Sequence, residues 1–276
     1  MKLTSATITK DEPQYIEGCI LSVSNFDEIV VLDTGSKELY LDESKSKYPQ
    51  FKEYVSTDKT EFMTEGLFDF SKARNTIADY CTGDYVLAID TDERLVDNGL
   101  KEFIEKTNVE GYAIHIKSPH IQFSPLSIVA ESLFTRIYKN GMGFYYINPV
   151  HENVIHSIAS KGGRVKEIPK SVAYLAHLGY DISQEEMLRK MKRNMQLAMM
   201  ILKKNPGDSY TWFSVARSFA ILQQYNEFEM ALTYALKLGM MSPLRERAIR
   251  YLMEYQQKKN KLNHQENFYT QFYGKN

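Results

Sequence analysis

The chain has 276 residues, 43% hydrophobic and 25% charged, with a formal net charge of −1 at neutral pH. Such a composition supports a packed core and excludes a disordered chain. The near-zero charge and the lack of a long basic run leave no electrostatic footprint for duplex nucleic acid.

Leu3 to Thr9 alternates and is rich in β-formers, which predicts a first strand. Lys10-Asp11-Glu12-Pro13 is a turn leading into a helix, with proline in the first turn where its missing N–H is harmless. Ile16, Ile20, Leu21 and Val23 give that helix an apolar face. Glu28 to Asp33 reads as a second, buried strand that ends in an acid. A third strand is expected near Phe51 to Val55, and a helix over Phe70 to Tyr80, closed by Thr82-Gly83. Tyr85-Val86-Leu87-Ala88-Ile89 is then an apolar run that stops at Asp90-Thr91-Asp92-Glu93. Alternating strands and helices over residues 3–90 predict a mostly parallel sheet flanked by helices. A helix is expected over Asp97 to Lys106. Beyond it, Gly111 to Ile116, Ser132 to Tyr138, Gly143 to Ile147 and Val165 to Ala176 read as strands of mixed direction. Lys161-Gly162-Gly163-Arg164 reads as a hairpin turn rather than a phosphate loop, since no strand-to-helix context surrounds it.

From Ser183 onward only helices are expected: Glu185 to Lys204, Ser209 to Leu222, Glu227 to Leu238, Leu244 to Gln257 and His264 to Phe272. Trp212, Val215, Ala216, Phe219, Leu222, Tyr225 and Ala235 fall at tetratricopeptide spacing, with Phe228 where that repeat prefers Ala. One repeat cannot bury its own face, so it is expected to pack on the preceding domain or on another subunit. The division is therefore 1–182, an α/β domain, and 183–276, a helical appendage. Cys19 and Cys81 are the only cysteines, unpaired in spacing and set in apolar helical patterns, as in a reducing compartment. The N-terminus lacks a signal-peptide core, and no run is long enough to span a bilayer. A cytoplasmic protein is expected, with peripheral attachment to the inner face of the membrane left open.

The acids after Ile89 are the strongest chemical signal. A charge directly after a fully apolar strand is costly unless it has partners. Ligands of open α/β sheets bind at the carboxyl ends of the strands. Two Asp separated by one residue can hold a divalent cation and, through it, a diphosphate.

Four stretches taken together, in order, resemble glycosyltransferase family 2. They are Ala6-Thr7-Ile8-Thr9-Lys10-Asp11-Glu12; Asp27 through Ser36; Phe70-Ser71-Lys72-Ala73-Arg74-Asn75; and Thr82 through Glu93. His151-Glu152 and His177-Leu178-Gly179-Tyr180 place the chain near the bacterial subgroup with tetratricopeptide-like helices after the catalytic domain. The resemblance implies a GT-A fold and an inverting, metal-dependent transferase using a nucleotide-diphospho-sugar, with a UDP-sugar expected. It implies Mn²⁺ or Mg²⁺ on Asp92 and His177. It assigns the donor to Thr7, Thr9, Glu12, Asp33, Arg74 and Asp90, with Arg74 as a guanidinium for the diphosphate. It implies Glu152 as the catalytic base, although the wider family places an Asp there. The acceptor would be a saccharide, a lipid-linked glycan or a peptide, and the helical tail could form a homodimer. A loop between Ile121 and Ala130 would close over the donor.

Two other readings stand beside this one. A sugar nucleotidyltransferase would need a Gly-rich basic loop after the first strand, whereas Lys10-Asp11-Glu12-Pro13 is acidic and lacks glycine. A non-catalytic scaffold with a partner-binding tail is opposed by the intact Asp90, Asp92 and Glu152.

Overall fold

A computed structural model describes residues 1–38, 40–58, 60–118, 131–179, 183–240 and 244–273. The expected loop 121–130 lies outside the described residues. Those residues form two compact units, one ending before Ser183 and one beginning there.

The first unit is built on one mixed sheet whose strands lie in the order 51–55, 28–33, 3–9, 85–88, 131–139, 111–117, 173–177 and 93–97, with 165–167 alongside 111–117. Strands β1 (Leu3–Thr9), β2 (Glu28–Asp33) and β6 (Tyr85–Ala88) are buried at every position. Both their faces are covered, so they read as apolar runs rather than alternating ones. They run parallel with each other and with β3 (Phe51–Val55). Thr9 lies opposite Asp33 in this register, and Ala6 opposite Ala88. One sheet edge therefore gathers the ends of β1, β2 and β6. Helices α1 (Pro13–Ser22), α2 (Asp42–Lys47), α3 (Phe70–Ala78) and α4 (Leu100–Thr107) connect these strands or follow them. The core forms two clusters. Ile16, Ile20, Ile29 and Leu87 belong to one, and Val30, Ala73, Ile77 and Val86 to the other.

Strand β9 (Glu131–Lys139) runs antiparallel to both β6 and β8 (Gly111–Lys117). The single strand expected over Val165 to Ala176 is two: β10 (Val165–Glu167) and β11 (Ala173–His177), both parallel to β8. Pro169, which has no N–H for a ladder, turns the chain between them, and its carbonyl accepts from Val172 and Ala173. β11 also pairs antiparallel with β7 (Glu93–Asp97), a strand the sequence reading did not expect. Its charged residues hide the pattern, and Asp97 had been placed in the following helix.

Gly143 to Ile147 is not a strand; only an isolated bridge joins Ile147 to Asn153. The Asn75 side chain takes the place of a ladder partner, accepting from Tyr146 N at 2.7 Å and donating to Tyr146 O at 3.0 Å. Lys161 to Arg164 is not a hairpin either. It ends α5 (Ile155–Ser160) and leads into β10, with Gly162 at φ 73° and Gly163 N donating to Ile158 O. That is a helix stop in which glycine takes the left-handed position. A small hairpin, β4 (Met63–Thr64) with β5 (Leu67–Phe68), was also not expected.

The second unit contains α6 (Gln184–Lys204), α7 (Ser209–Ile221), α8 (Tyr225–Lys237) and α9 (Leu244–Tyr273). Ser183 and Glu186 form a reciprocal cap on α6, and Asp208 caps α7. Trp212 meets Tyr234 edge-on at 5.0 Å, and Phe228 is fully buried against Tyr255. The two helices expected after Leu244 are one, since no glycine or proline lies between Gln257 and His264 to stop it. No helix among the described residues is long and apolar enough to cross a membrane.

Candidate active site

The turn Asp90 to Glu93 leaves the sheet two residues after β6 and is fixed from three sides. Ile89 N continues the ladder to Ala6 O. From α1, the Cys19 thiol donates to Asp90 O at 3.3 Å. The Arg94 guanidinium donates to the carbonyls of Thr91, Glu93 and Tyr15, each at 2.8 Å. Gly18 makes this possible, because a Cβ there would stand 2.5 Å from Arg94 Nε. The Thr91 hydroxyl donates to Glu12, tying the loop after β1 to the same turn.

Around Asp90 the structure assembles two guanidiniums and three carboxylates. Arg74, from α3, is 1% exposed and donates to Asp90 through Nη2 and to Glu152 Oε1 through Nε at 3.2 Å. Arg136, from β9, donates to Asp90 Oδ2 at 3.0 Å. It also lies 3.6 Å from Glu93 Oε1 and 3.9 Å from Glu152 Oε1. Burial opposes the charge on Asp90, but Arg136 and then Arg74 hold its carboxyl well below the usual carboxylate range. Burial pushes Glu93 up to about 7, with Asp90 reinforcing it and Arg136 opposing. Glu93 accepts from Asp90 N at 2.9 Å. Arg74 is thus neither an exposed salt bridge nor a free cation. It clamps two of the carboxylates that the sequence singled out, and its Nη1 is buried without a hydrogen-bond partner.

The expected metal pair is assembled by the sheet. In the antiparallel β7–β11 ladder His177 lies opposite Glu93, and Leu178 N donates to Asp92 O at 2.7 Å just beyond it. This places His177 Nε2 3.3 Å from Asp92 Oδ2, with both side chains largely buried. His177 Nδ1 lies 3.1 Å from Ser118 Oγ. An imidazole held at one nitrogen and facing a carboxylate with the other is a geometry shared by His–carboxylate ion pairs and metal-ligating histidines. Gly179 closes over the pair: a Cβ there would sit 1.8 Å from Asp92 Oδ2 and 2.9 Å from His177 Nε2. These residues fit a divalent cation as two protein ligands. Among the described residues no group of three or more His, Cys, Asp or Glu is gathered for a metal.

The remaining expected residues line the ends of β1 and β2. Asp33, buried, accepts from Gly35 N at 2.9 Å and Ser36 N at 2.7 Å, an Asx turn that shapes the loop after β2. Thr9 Oγ1 is 2.8 Å from the Tyr40 hydroxyl, which also accepts from Glu12 N. Thr7 is buried with its hydroxyl 3.8 Å from Cys19 Sγ. Glu152 follows His151, whose φ of 54° turns the backbone sharply, and is 11% exposed on its side chain. Sequence reasoning missed Arg136, Tyr40 and Arg94. A lone arginine within a strand pattern carries no local signal. Only the β6–β9 pairing brings Arg136 beside the acids.

The family model for glycosyl transferase family 2 matches residues 6–156, more than half of the chain, and the chain belongs to that family. A TPR repeat-containing protein of Synechococcus elongatus is 26% identical over 257 residues, covering 90% of this chain and 59% of that protein. The SPbeta prophage-derived glycosyltransferase SunS of Bacillus subtilis is 26% identical over 231 residues, covering 82% of this chain and 51% of that protein. The chain thus spans somewhat more than half the length of these curated relatives. Among solved structures, S. aureus TarS superposes with a TM-score of 0.49 at 17% identity, covering 92% of this chain and 54% of that one. The mixed sheet, parallel over β3-β2-β1-β6 and closed by antiparallel β9, is the GT-A architecture that family membership leads one to expect.

Proposed function

We propose that this chain transfers a sugar from a nucleotide-diphospho-sugar to a hydroxyl-bearing acceptor, with inversion at the anomeric carbon and with a divalent cation. In this reading residues 1–182 carry the reaction and 183–276 are a helical appendage. The observation that carries it is the Asp92–His177 pair beneath Gly179, two residues along from Asp90, whose network reaches Glu152. Asp92 and His177 would hold the cation, Mn²⁺ or Mg²⁺. A cation held by them would supply Lewis-acid stabilisation of the negative charge on the leaving diphosphate.

The chain's own residues supply the rest. Asp33, Thr9 and the loop ordered by Tyr40 form the end of the sheet where the nucleotide would lie. Glu152 takes the acceptor hydroxyl proton while the acceptor oxygen attacks the anomeric carbon. The bond to the diphosphate breaks with its electron pair on the leaving oxygen. General-base assistance of this kind is worth roughly 10²–10⁴ in rate. A UDP-sugar is the first donor to test; saccharide, lipid-linked glycan and peptide hydroxyls are the acceptor classes.

The test is a thermal-shift panel of UDP-glucose, UDP-galactose, UDP-N-acetylglucosamine and GDP-mannose with Mn²⁺, followed by nucleoside diphosphate release. A donor that binds raises apparent stability by mass action, and its release of nucleoside diphosphate should vanish in Asp92→Ala. Absence of both stabilisation and release across the panel would contradict the reading.

A further inference from the structure

We propose that Arg136 is a positioning residue that couples the acid turn to the catalytic base; the inference rests on the transferase reading above. Its single guanidinium reaches three carboxylates from two chain segments, the Asp90–Glu93 turn and the segment of Glu152. These are Asp90 Oδ2 at 3.0 Å, Glu93 Oε1 at 3.6 Å and Glu152 Oε1 at 3.9 Å. Arg74 closes the same network from the opposite helix, donating to Asp90 and, at 3.2 Å, to Glu152 Oε1. Both guanidiniums thus approach Glu152 through Oε1.

The shape of the guanidinium explains why arginine stands here. A planar fork can serve two carboxylates at once, whereas an ammonium is a point charge. Arg136 enters from β9, the one strand that pairs with β6 on its antiparallel side, so its Cα is fixed by the sheet. A shift of the acid turn is thereby transmitted to Glu152 through one side chain. The arrangement also sets charge. Glu152 faces the cations of Arg74 and Arg136, with the carboxylates of Asp90 and Glu93 behind them. Tyr146 and His151 flank it on its own segment.

The experiment compares wild type with Arg136→Gln and Arg136→Lys. Donor affinity is measured by calorimetry with the panel above, and kcat and the pH profile of kcat/KM by nucleoside diphosphate release. Urea unfolding of Arg136→Gln, Glu152→Gln and the double variant measures the coupling of the two side chains, a readout that needs no turnover. Arg136→Gln should leave the donor Kd within about threefold and lower kcat about 10- to 100-fold, a fraction of the general-base effect. Its loss of stability should be non-additive with that of Glu152→Gln. Arg136→Lys, which keeps the charge but not the fork, should leave kcat at least about fivefold low, and it carries the test if Arg136→Gln does not fold. The proposal is overturned if the two substitutions are additive in unfolding, if Arg136→Lys matches wild type in kcat, or if donor affinity falls in step with kcat. The last result would make Arg136 a donor ligand. A wild-type protein that binds no donor would sink the transferase reading alone, since the double-variant unfolding still decides the coupling.

Discussion

Substituting Gly179 with Ala probes the metal pair with one added methyl group. Gly179 is not in the left-handed backbone region, so alanine meets no conformational penalty there and only the space is tested. The new Cβ would stand 1.8 Å from Asp92 Oδ2, 2.7 Å from Asp92 Cγ and 2.9 Å from His177 Nε2. Contacts below about 3.0 Å do not persist, so the carboxylate must retreat by about 1.2 Å. Asp92 has little room to do so: Leu178 N holds its carbonyl, and the turn on either side is pinned by Glu12 and Arg94. Overpacking of this kind typically costs about 1–3 kcal/mol, which lowers the unfolding midpoint without abolishing the fold. Misplacing a reacting group by about 1 Å can cost roughly 10² in rate. Gly179→Ala should therefore lose about 100-fold in Mn²⁺-dependent release of nucleoside diphosphate. Its apparent Mn²⁺ affinity, read from the metal dependence of turnover, should weaken in parallel. A variant with wild-type metal dependence would show that the Asp92–His177 gap does not hold a cation.

Two further outcomes follow from the buried charges. Arg74→Met leaves Asp90 and Glu152 short of a cation, and breaking a buried pair usually costs about 3–5 kcal/mol. Asp90 keeps 34% of its side chain in contact with solvent, so the lower end is expected, about 3 kcal/mol by urea unfolding. A loss below about 1 kcal/mol would mean that the network contributes little to stability. Glu28 joins β2 to neighbouring segments. Burial opposes its charge, but Lys52, Thr4 and Thr82 hold its carboxyl at about 2, against an ordinary 4.5. A depressed carboxyl stabilises the fold above pH 4.5, and the contribution is lost as pH falls from there toward about 2. It amounts to at most about 3 kcal/mol. Glu28→Gln should flatten the stability–pH curve across that window, and an unchanged slope would assign the acid lability elsewhere.

The parallel half of the sheet was legible because buried parallel strands are written as continuous apolar runs, as in β1, β2 and β6. That Asp92 and His177 would lie together was legible by resemblance, and the β7–β11 pairing that brings them together was not. β7 carries Glu93, Arg94 and Asp97, so its pattern is that of a turn, and only its partner β11 makes it a strand. Gly143 to Ile147 failed in the opposite sense. Its aromatic sequence reads as a strand, yet Asn75 satisfies the backbone of Tyr146 from a helix. Arg74 was expected to act on the donor, and the structure binds it to Asp90 and Glu152. Charge networks of this sort depend on long-range pairing, which no local window encodes. Arg136, 46 residues from Asp90 along the chain, shows the same limit.

The central claim is that Asp92 and His177 together hold a cation against a donor diphosphate. Electron paramagnetic resonance of Mn²⁺ titrated into the protein with UDP or GDP measures this directly, because bound and free ion give different signals. Wild type should retain about one Mn²⁺ per chain when the matching nucleoside diphosphate is present. Asp92→Ala and His177→Ala should each release it. Equal Mn²⁺ retention by the Asp92→Ala, His177→Ala double variant would contradict the account.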